Sequence, residues 1–127
     1  MEKPGTINTH KDLVVWQKGM DLVEEIYSLT ATFPQTEVFG LTAQIKSSAI
    51  SIPSNIAEGA ARGSRKEYIH FLHIALGSIA ELETQLLIAQ RLGFIQDPLE
   101  KELSELKKPL LGLIKTLKKN HSKVSHS

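Results

Sequence analysis

The sequence lacks cysteine and has no long apolar run. Disulfides and thiolate metal sites are therefore excluded, and a reducing compartment, the cytoplasm, is expected. No segment approaches the roughly 20 consecutive apolar residues that a membrane-spanning helix needs. The N-terminal stretch MEKPGTINTHKD has no apolar core of the kind found in signal peptides. We therefore expect no membrane partner.

Acidic residues are missing from the last part of the chain. The net charge is only +1, but residues 106–127 carry six lysines and no Asp or Glu. Residues 1–105 carry nine basic and fourteen acidic side chains. A basic end can bind a polyanion, dock on its own domain or on a sister subunit, or simply stay solvated.

Apolar spacing predicts an all-α protein with four helices in one domain. The predicted helices span about 12–32, 37–61, 65–92 and 97–119. The domain is expected to cover 12–119, between a disordered N-terminal lead (1–11) and a disordered basic tail (120–127).

Helix ends are marked by residues with known capping preferences. Ser64 followed by Glu67 predicts a capping box at the start of the third helix. Gly93 predicts a left-handed cap at its end. Asp97 is the expected cap of the fourth helix, with Pro98 in its first turn.

The third and fourth helices carry apolar seams with alternating spacings of three and four, which is typical of helices packed along their length. The fourth-helix seam consists of Leu99, Leu103, Leu106, Leu110, Leu113 and Leu117. That of the third consists of Tyr68, Leu72, Ala75, Ile79, Leu82, Leu86 and Ala89. Short connections between such helices predict an up-down-up-down antiparallel four-helix bundle.

The first helix carries two apolar stripes, about a third of a turn apart. One consists of Leu13, Trp16, Met20, Val23 and Tyr27. The other consists of Val15, Leu22, Ile26, Leu29 and Phe33, and we expect it to form a homo-oligomer interface. The alternative is that both stripes fit inside a thick core. We favour oligomerisation because monomers seldom expose large apolar patches.

The stretch SIPSNIAEG places a proline between segments that keep helical apolar spacing. It predicts a second helix kinked at Pro53 rather than ended there. We expect Asn55 to bond to a facing backbone, since a buried amide without partners costs about 1–3 kcal/mol. Glu58 precedes Arg62 by four residues, which favours an ion pair. A general acid or base at Glu58 would need a partner and a pocket that the sequence does not indicate.

No motif predicts an enzyme. Phosphate-loop, nucleophile-elbow and dinucleotide spacings are absent, so neither a cofactor nor a small-molecule substrate is expected. Glu67 and His70 match half of the di-iron pattern of helical bundles. A metal-binding bundle using these two residues is therefore the weaker alternative, because two ligands leave a site incomplete.

Basic side chains on the second, third and fourth helices are candidate nucleic-acid contacts: Lys46, Arg62, Arg65, Lys66, Lys115, Lys118 and Lys119. Phosphate affinity rises with the number of neutralised charges, so a ring of subunits would multiply their effect. Recognised nucleic-acid motifs are absent, and aromatic residues for base stacking make up only 6% of the chain. Ordinary solubilising lysines are the alternative explanation.

Several segments together resemble the 23S rRNA-intervening-sequence protein family, whose relatives include accessory proteins of diversity-generating retroelements. The matching segments are DLVVWQ (12–17), FPQTEVFGLTAQI (33–45), SIPSNIAEG (51–59), FLHIALGSIAELE (71–83) and LG (92–93). SIPSNIAEG is the most specific of them. The family name reflects where some of its genes were found and not an activity.

The resemblance implies a four-helix bundle that assembles as a homopentamer and binds RNA, or an RNA-handling protein, through basic surfaces. Its second-helix signature falls on Pro53, Asn55, Glu58 and Gly59. Its packing residues fall on Trp16, Phe33 and Leu41. Where the family often has two adjacent basic residues, this chain has Lys46 alone. Pro109 and Gly112 are also unexpected in the fourth helix and predict a bend or an early end.

Overall fold

The computed structural model describes residue 10 and residues 13–125, the last six by their backbone alone. It contains four α-helices, and the described residues form no strand: α1 (Val14–Thr30), α2 (Leu41–Ala60), α3 (Arg65–Arg91) and α4 (Glu100–Ser125). A short 3₁₀ turn, Gln35–Glu37, joins α1 to α2. The predicted all-α class with four helices is confirmed.

The second helix starts later than predicted, at Leu41 instead of residue 37. The reason is that Glu37 belongs to the preceding 3₁₀ turn, and its carboxylate accepts the Leu41 backbone N–H at 3.4 Å. The Glu37 side chain therefore accepts a hydrogen bond from the first residue of α2, although Glu37 itself lies before that helix.

The caps around α3 are those predicted. The Ser64 hydroxyl accepts the Glu67 backbone N–H at 3.1 Å. Gly93 has φ +80°, in the left-handed region that favours glycine. The Phe94 N–H then bonds to the Ala89 carbonyl at 2.9 Å, which completes the cap.

The start of α4 differs from the prediction. Asp97 accepts the Leu99 N–H at 2.9 Å, but the helix begins only at Glu100. Pro98 therefore precedes the first turn, because Leu99 adopts φ 59° and interrupts helical geometry. The Leu99 side chain is buried, and this burial offsets the cost of its backbone conformation.

The C-terminal half of α4 also departs from the predicted seam. Ile114 is buried, whereas Leu113 is only partly buried. The helix continues through Pro109 and Gly112, so neither ends it. It reaches Ser125, and the predicted tail (120–127) therefore overlaps α4; the predicted lead (1–11) lies outside the described residues except for residue 10.

The core runs along the whole bundle and is almost entirely aliphatic. Its largest fully buried side chains are Ile26, Ile45, Ile52, Ile56, Leu72, Leu82, Leu86, Leu103, Leu106 and Leu110. Close backbone contacts join each helix to the next in sequence and α1 to α4. Phe33 packs on Phe94, with ring centroids 5.5 Å apart, and Trp16 and Leu41 pack against the core from its edge.

Where α2 meets α3 and where α3 meets α4, the residue numbers rise along one helix as they fall along the other. Ser48 of α2 bonds to Glu81 of α3, while Ser51 bonds to Ser78. Glu83 of α3 shares a groove with Glu100 of α4, and His73 shares another with Leu111. These registers are consistent with the predicted up-down arrangement.

Pro53 lies inside α2 and is buried, so the helix does not end there. The kink predicted at this residue stays a prediction. Among the described residues, α3 is long and apolar enough by composition to cross a membrane, a property shared by helices that line a protein core. Its apolar seam, including Leu72, Leu82 and Leu86, is buried in the bundle.

Gly59 lies where α2 packs closely on α3. A Cβ atom added there would lie 2.9 Å from the Phe71 Cβ and 3.2 Å from the Tyr68 carbonyl oxygen. We expect Gly59→Ala to lower the free energy of unfolding by about 1–3 kcal/mol, because α3 must move to admit the methyl group. Urea denaturation at a fixed protein concentration measures the effect.

The matched control is Gly77→Ala, since Gly77 lies within α3 with nothing within 4 Å of an added Cβ. This substitution should raise stability by about 0.5–1 kcal/mol, because alanine favours helix. Equal effects of the two substitutions would contradict the close-approach account.

Candidate interaction surfaces

The stripe of α1 predicted to bind a second subunit is instead core. Val15, Leu22, Ile26 and Phe33 are buried within the single chain, and Leu29 is partly buried against the same core. The predicted interface residues are therefore wrong. The physical reason is that α2 and α4 both pack on this side of α1 and leave it no exposed area for another chain.

Leu13 of the other stripe is also buried, but Met20 and Tyr27 are exposed, and the stripe forms with α2 an apolar surface that we name the α1–α2 face. It consists of Trp16, Met20, Val23, Tyr27, Lys46, Ile50, Pro53, Ser54 and Ala57. Met20 and Ile50 are each 41% exposed and Tyr27 is 45% exposed. Large side chains with this exposure on two adjoining helices make a contiguous apolar patch, which is unusual on a monomer.

Lys46 belongs to this face and not to a basic cluster. Its ammonium lies 4.5 Å from the centroid of the Tyr27 ring, in a cation–π contact. Ala60, the last residue of α2 before the turn that holds Arg62, is fourteen residues from Lys46 along the helix, about 21 Å at 1.5 Å per residue. The structure therefore separates Lys46 from the other candidate nucleic-acid contacts.

Polar side chains link α2 to α3. The Asn55 amide donates to the Ser51 carbonyl at 2.8 Å and to the Ser51 hydroxyl at 2.9 Å. The Ser51 and Ser78 hydroxyls are 2.8 Å apart across the helix contact. The prediction that Asn55 bonds to a facing backbone is thus wrong, because its side-chain amide reaches Ser51, four residues earlier on its own helix.

Glu58 makes the ion pair expected from its spacing. Its Oε1 accepts a hydrogen bond from Arg62 at 2.7 Å, and both side chains are about half exposed. The Arg62 guanidinium also lies 4.9 Å from the Phe71 ring centroid. Glu58 is therefore a surface residue already paired with a cation, which does not favour an acid or base role.

Six of the predicted cationic contacts lie at one end of the bundle. Arg62, Arg65 and Lys66 lie around the short turn between α2 and α3. Lys115, Lys118 and Lys119 line a groove on α4 together with His73 of α3. Because His73 is two turns from the start of α3, this groove brings both sets to the same end, which we name the basic end.

The groove at the basic end combines charge with an apolar floor. Leu111 is 43% exposed and lies beside Ile114 in the groove. Sequence spacing alone identifies the lysines but not this groove, because the α3 residues that complete it are remote in the chain.

The half di-iron pattern is not completed in three dimensions. Among the residues that the structure describes, no group of three or more His, Asp or Glu side chains is placed to hold a metal ion. The His70 ring contacts Phe71 edge-on at 5.5 Å. The arrangement therefore gives Glu67 and His70 no further ligand.

Carboxylates concentrate in a groove between α1 and α4, lined by Lys18, Asp21, Leu22, Glu25, Glu102 and Glu105. Partial burial raises the pKa of Glu25 above its usual value of 4.5, and the charges of Glu102 and Asp97 raise this pKa further. Lys18 lines the same groove as these carboxylates, and its single positive charge offsets only part of their mutual repulsion.

Phe39 is a feature that sequence analysis misses. The predicted second helix includes it, but it lies in the turn before α2 with 97% of its surface exposed. Neighbouring Val38 is also exposed. The available signal is its spacing, because Phe39 lies two residues before Leu41 and so falls outside the apolar spacing that Leu41 and Ile45 begin.

Comparison with known proteins agrees with this four-helix architecture. The sequence model described as 23S rRNA-intervening sequence protein matches residues 11–119. A crystal structure of a protein of unknown function from the S23 ribosomal protein family of Bacteroides thetaiotaomicron is similar, with a TM-score of 0.58 and 26% identity. That likeness covers 82% of this chain and 94% of the other. No curated protein matches the sequence.

The fold and the match over most of the chain define a class of small four-helix proteins. The chain belongs to the 23S rRNA-intervening sequence protein family, as its segments predicted.

The raised pKa of Glu25 predicts a pH-dependent effect of Glu25→Gln. Between pH 4.5 and the raised value, the unfolded state releases its proton before the folded state does, so folding loses stability as pH rises. We expect the variant to melt at a higher temperature than the native protein at pH 7. This gain should disappear below pH 4.5, where both states carry the proton.

Thermal melts at several pH values and low salt test this expectation, since salt screens exposed charges. A gain of the same size at pH 3 and pH 7 would show that ionisation of Glu25 is not its cause.

Proposed function

We propose that this protein is a non-enzymatic, homo-oligomeric scaffold or adaptor whose subunits assemble through the α1–α2 face and bind RNA through the basic end. The observation that carries the proposal is the exposed apolar surface around Met20, Tyr27 and Ile50. Each of these side chains leaves about two fifths of its area in water in the isolated subunit.

Covering this face with a second copy removes its apolar area from water, at about 25 cal/mol per Å². Family resemblance supports a ring of five. A closed ring with an odd number of subunits needs two different surfaces on every copy, because a self-complementary patch makes pairs. The α1–α2 face supplies one of these surfaces.

RNA is supported by the cations at the basic end. Arg65 and Lys66 lie on one helix, and Lys115, Lys118 and Lys119 lie on another, so that phosphates can be contacted from two sides. A ring repeats this arrangement in every subunit, and the electrostatic part of the affinity grows with each neutralised phosphate.

A protein-only adaptor is the second candidate. It is favoured by the apolar floor of the groove at the basic end, where Leu111 and Ile114 lie between lysines. An acidic amphipathic helix would match such a groove. An enzyme or a metal protein has less support, since Glu58 is paired with Arg62 and Glu67 and His70 acquire no third ligand.

Assembly is tested by Met20→Glu and Ile50→Glu, each compared with the native protein by light scattering. The native protein should have five times the 14.1 kDa mass of one chain. Each variant should dissociate to single folded subunits, because a carboxylate cannot be buried in an apolar interface without large cost. Circular dichroism checks that the helices persist.

Ser28→Glu is the matched control, since Ser28 is exposed on α1 outside the face. A native particle of 14.1 kDa at all micromolar concentrations would overturn the proposed assembly.

Binding to RNA is tested with a single-stranded oligonucleotide over a range of salt concentrations. The slope of log affinity against log salt should become shallower by about 0.7 for each phosphate that a variant no longer neutralises. Replacing Lys115, Lys118 and Lys119 with Glu should abolish binding without changing the particle mass.

The control carries the same charge change outside the basic end: Lys18, Arg91 and Lys101 replaced with Glu. If the native protein fails to bind RNA at low salt, the RNA role is wrong. A protein partner that still binds after the Lys115, Lys118 and Lys119 replacements would favour an adaptor that uses the rest of the bundle.

A further inference from the structure

A second surface suited to contact between copies lies on α3 and α4. We name it the α3–α4 groove; its volume is about 290 Å³, and it is lined by Leu76, Ile79, Ala80, Glu83, Glu100, Leu103, Ser104 and Lys107. The exposed lining of the groove is mainly apolar, and the small Ala80 leaves room above Ile79. Neither the α1–α2 face nor the basic end includes any residue of this groove.

The groove lies on the side of the bundle away from the α1–α2 face. Close backbone contacts connect α1 to α2, α2 to α3, α3 to α4 and α4 to α1, so the α1–α2 and α3–α4 pairs are opposite sides of a square. A ring needs two such separated surfaces on each subunit, one for each neighbour.

Hydrogen bonds between α2 and α3 fix which residues lie at the same height along the bundle. Ser48 pairs with Glu81 and Ser51 pairs with Ser78, so each step forward on α2 corresponds to one step back on α3. Lys46, two residues before Ser48, therefore lies level with Glu83, two residues after Glu81. Ile50 lies level with Ile79 and Ala80 within about one residue rise of 1.5 Å.

Rotation about an axis parallel to the helices moves a copy sideways without changing height. Residues at one height on the two faces therefore meet between neighbours in such a ring. On the α1–α2 face these are the exposed Ile50 and the cation Lys46; in the groove they are the small Ala80 and the carboxylate Glu83. Apolar meets apolar, and positive charge meets negative charge.

We propose that the α1–α2 face of one copy packs into the α3–α4 groove of the next, with Ile50 entering beside Ala80 and Lys46 pairing with Glu83. This inference rests on the proposed assembly and names its second surface. Because every copy uses both surfaces, the contact repeats head to tail, and it forms a ring when the rotation between neighbouring copies closes.

Charge exchange tests the ion pair. Lys46→Glu and Glu83→Lys should each raise the concentration at half-assembly by roughly tenfold or more, since each places like charges together. The double variant should restore assembly to within a fewfold of the native protein. Lys101→Glu with Glu105→Lys is the control, because both residues lie outside the groove lining and the α1–α2 face.

Cysteine cross-linking tests the packing. Because the chain has no native cysteine, only the introduced cysteines can form disulfides. Oxidation of the double variant Ile50→Cys, Ala80→Cys should give a ladder of linked subunits on a non-reducing gel. Ile50→Cys paired with Gly77→Cys, an exposed position on α3, should not.

The outcomes separate this inference from the proposed assembly. The native protein could be an oligomer while the Ile50→Cys, Ala80→Cys variant gives no ladder and the charge exchange gives no rescue. That result would overturn the groove as the second surface but leave the proposed assembly intact. A native protein that is monomeric throughout would overturn both.

Discussion

The packing of α2 and α4 against α1 decides which side of α1 faces the core. Gly19 of α1 faces Pro53 of α2 within this packing, and a Cβ added at Gly19 would lie 3.4 Å from the Pro53 Cβ, an ordinary van der Waals distance. With α2 there, Leu22 and Ile26 turn inwards while Met20 turns outwards. The packing thus buries Leu22 and Ile26 of one stripe and leaves Met20 and Tyr27 of the other on the surface proposed for assembly.

Helix number, most boundaries and the α3 seam could be predicted from sequence, because apolar period and caps such as Ser64 and Gly93 act locally. Which of the two stripes of α1 is buried could not be predicted from sequence. Both stripes are apolar and of similar length, and only the position of α2 distinguishes them.

Charged residues show the same difference between contacts within one helix and contacts between helices. The Glu58–Arg62 pair follows from spacing within one helix, and it forms as predicted. The basic end depends on α3 and α4 meeting near His73 and Lys115, and the cation–π contact of Lys46 depends on Tyr27 of another helix. Candidate cations could therefore be chosen from sequence, but their grouping required the fold.

The central claim is that the α1–α2 face is covered by another copy. Trp16, the single tryptophan, lines this face and reports on it directly. Acrylamide quenching of its fluorescence should be measured in the native protein and in Ile50→Glu at the same concentration. A covered face predicts markedly weaker quenching in the native protein, whereas equal quenching in two proteins of 14.1 kDa would contradict the account.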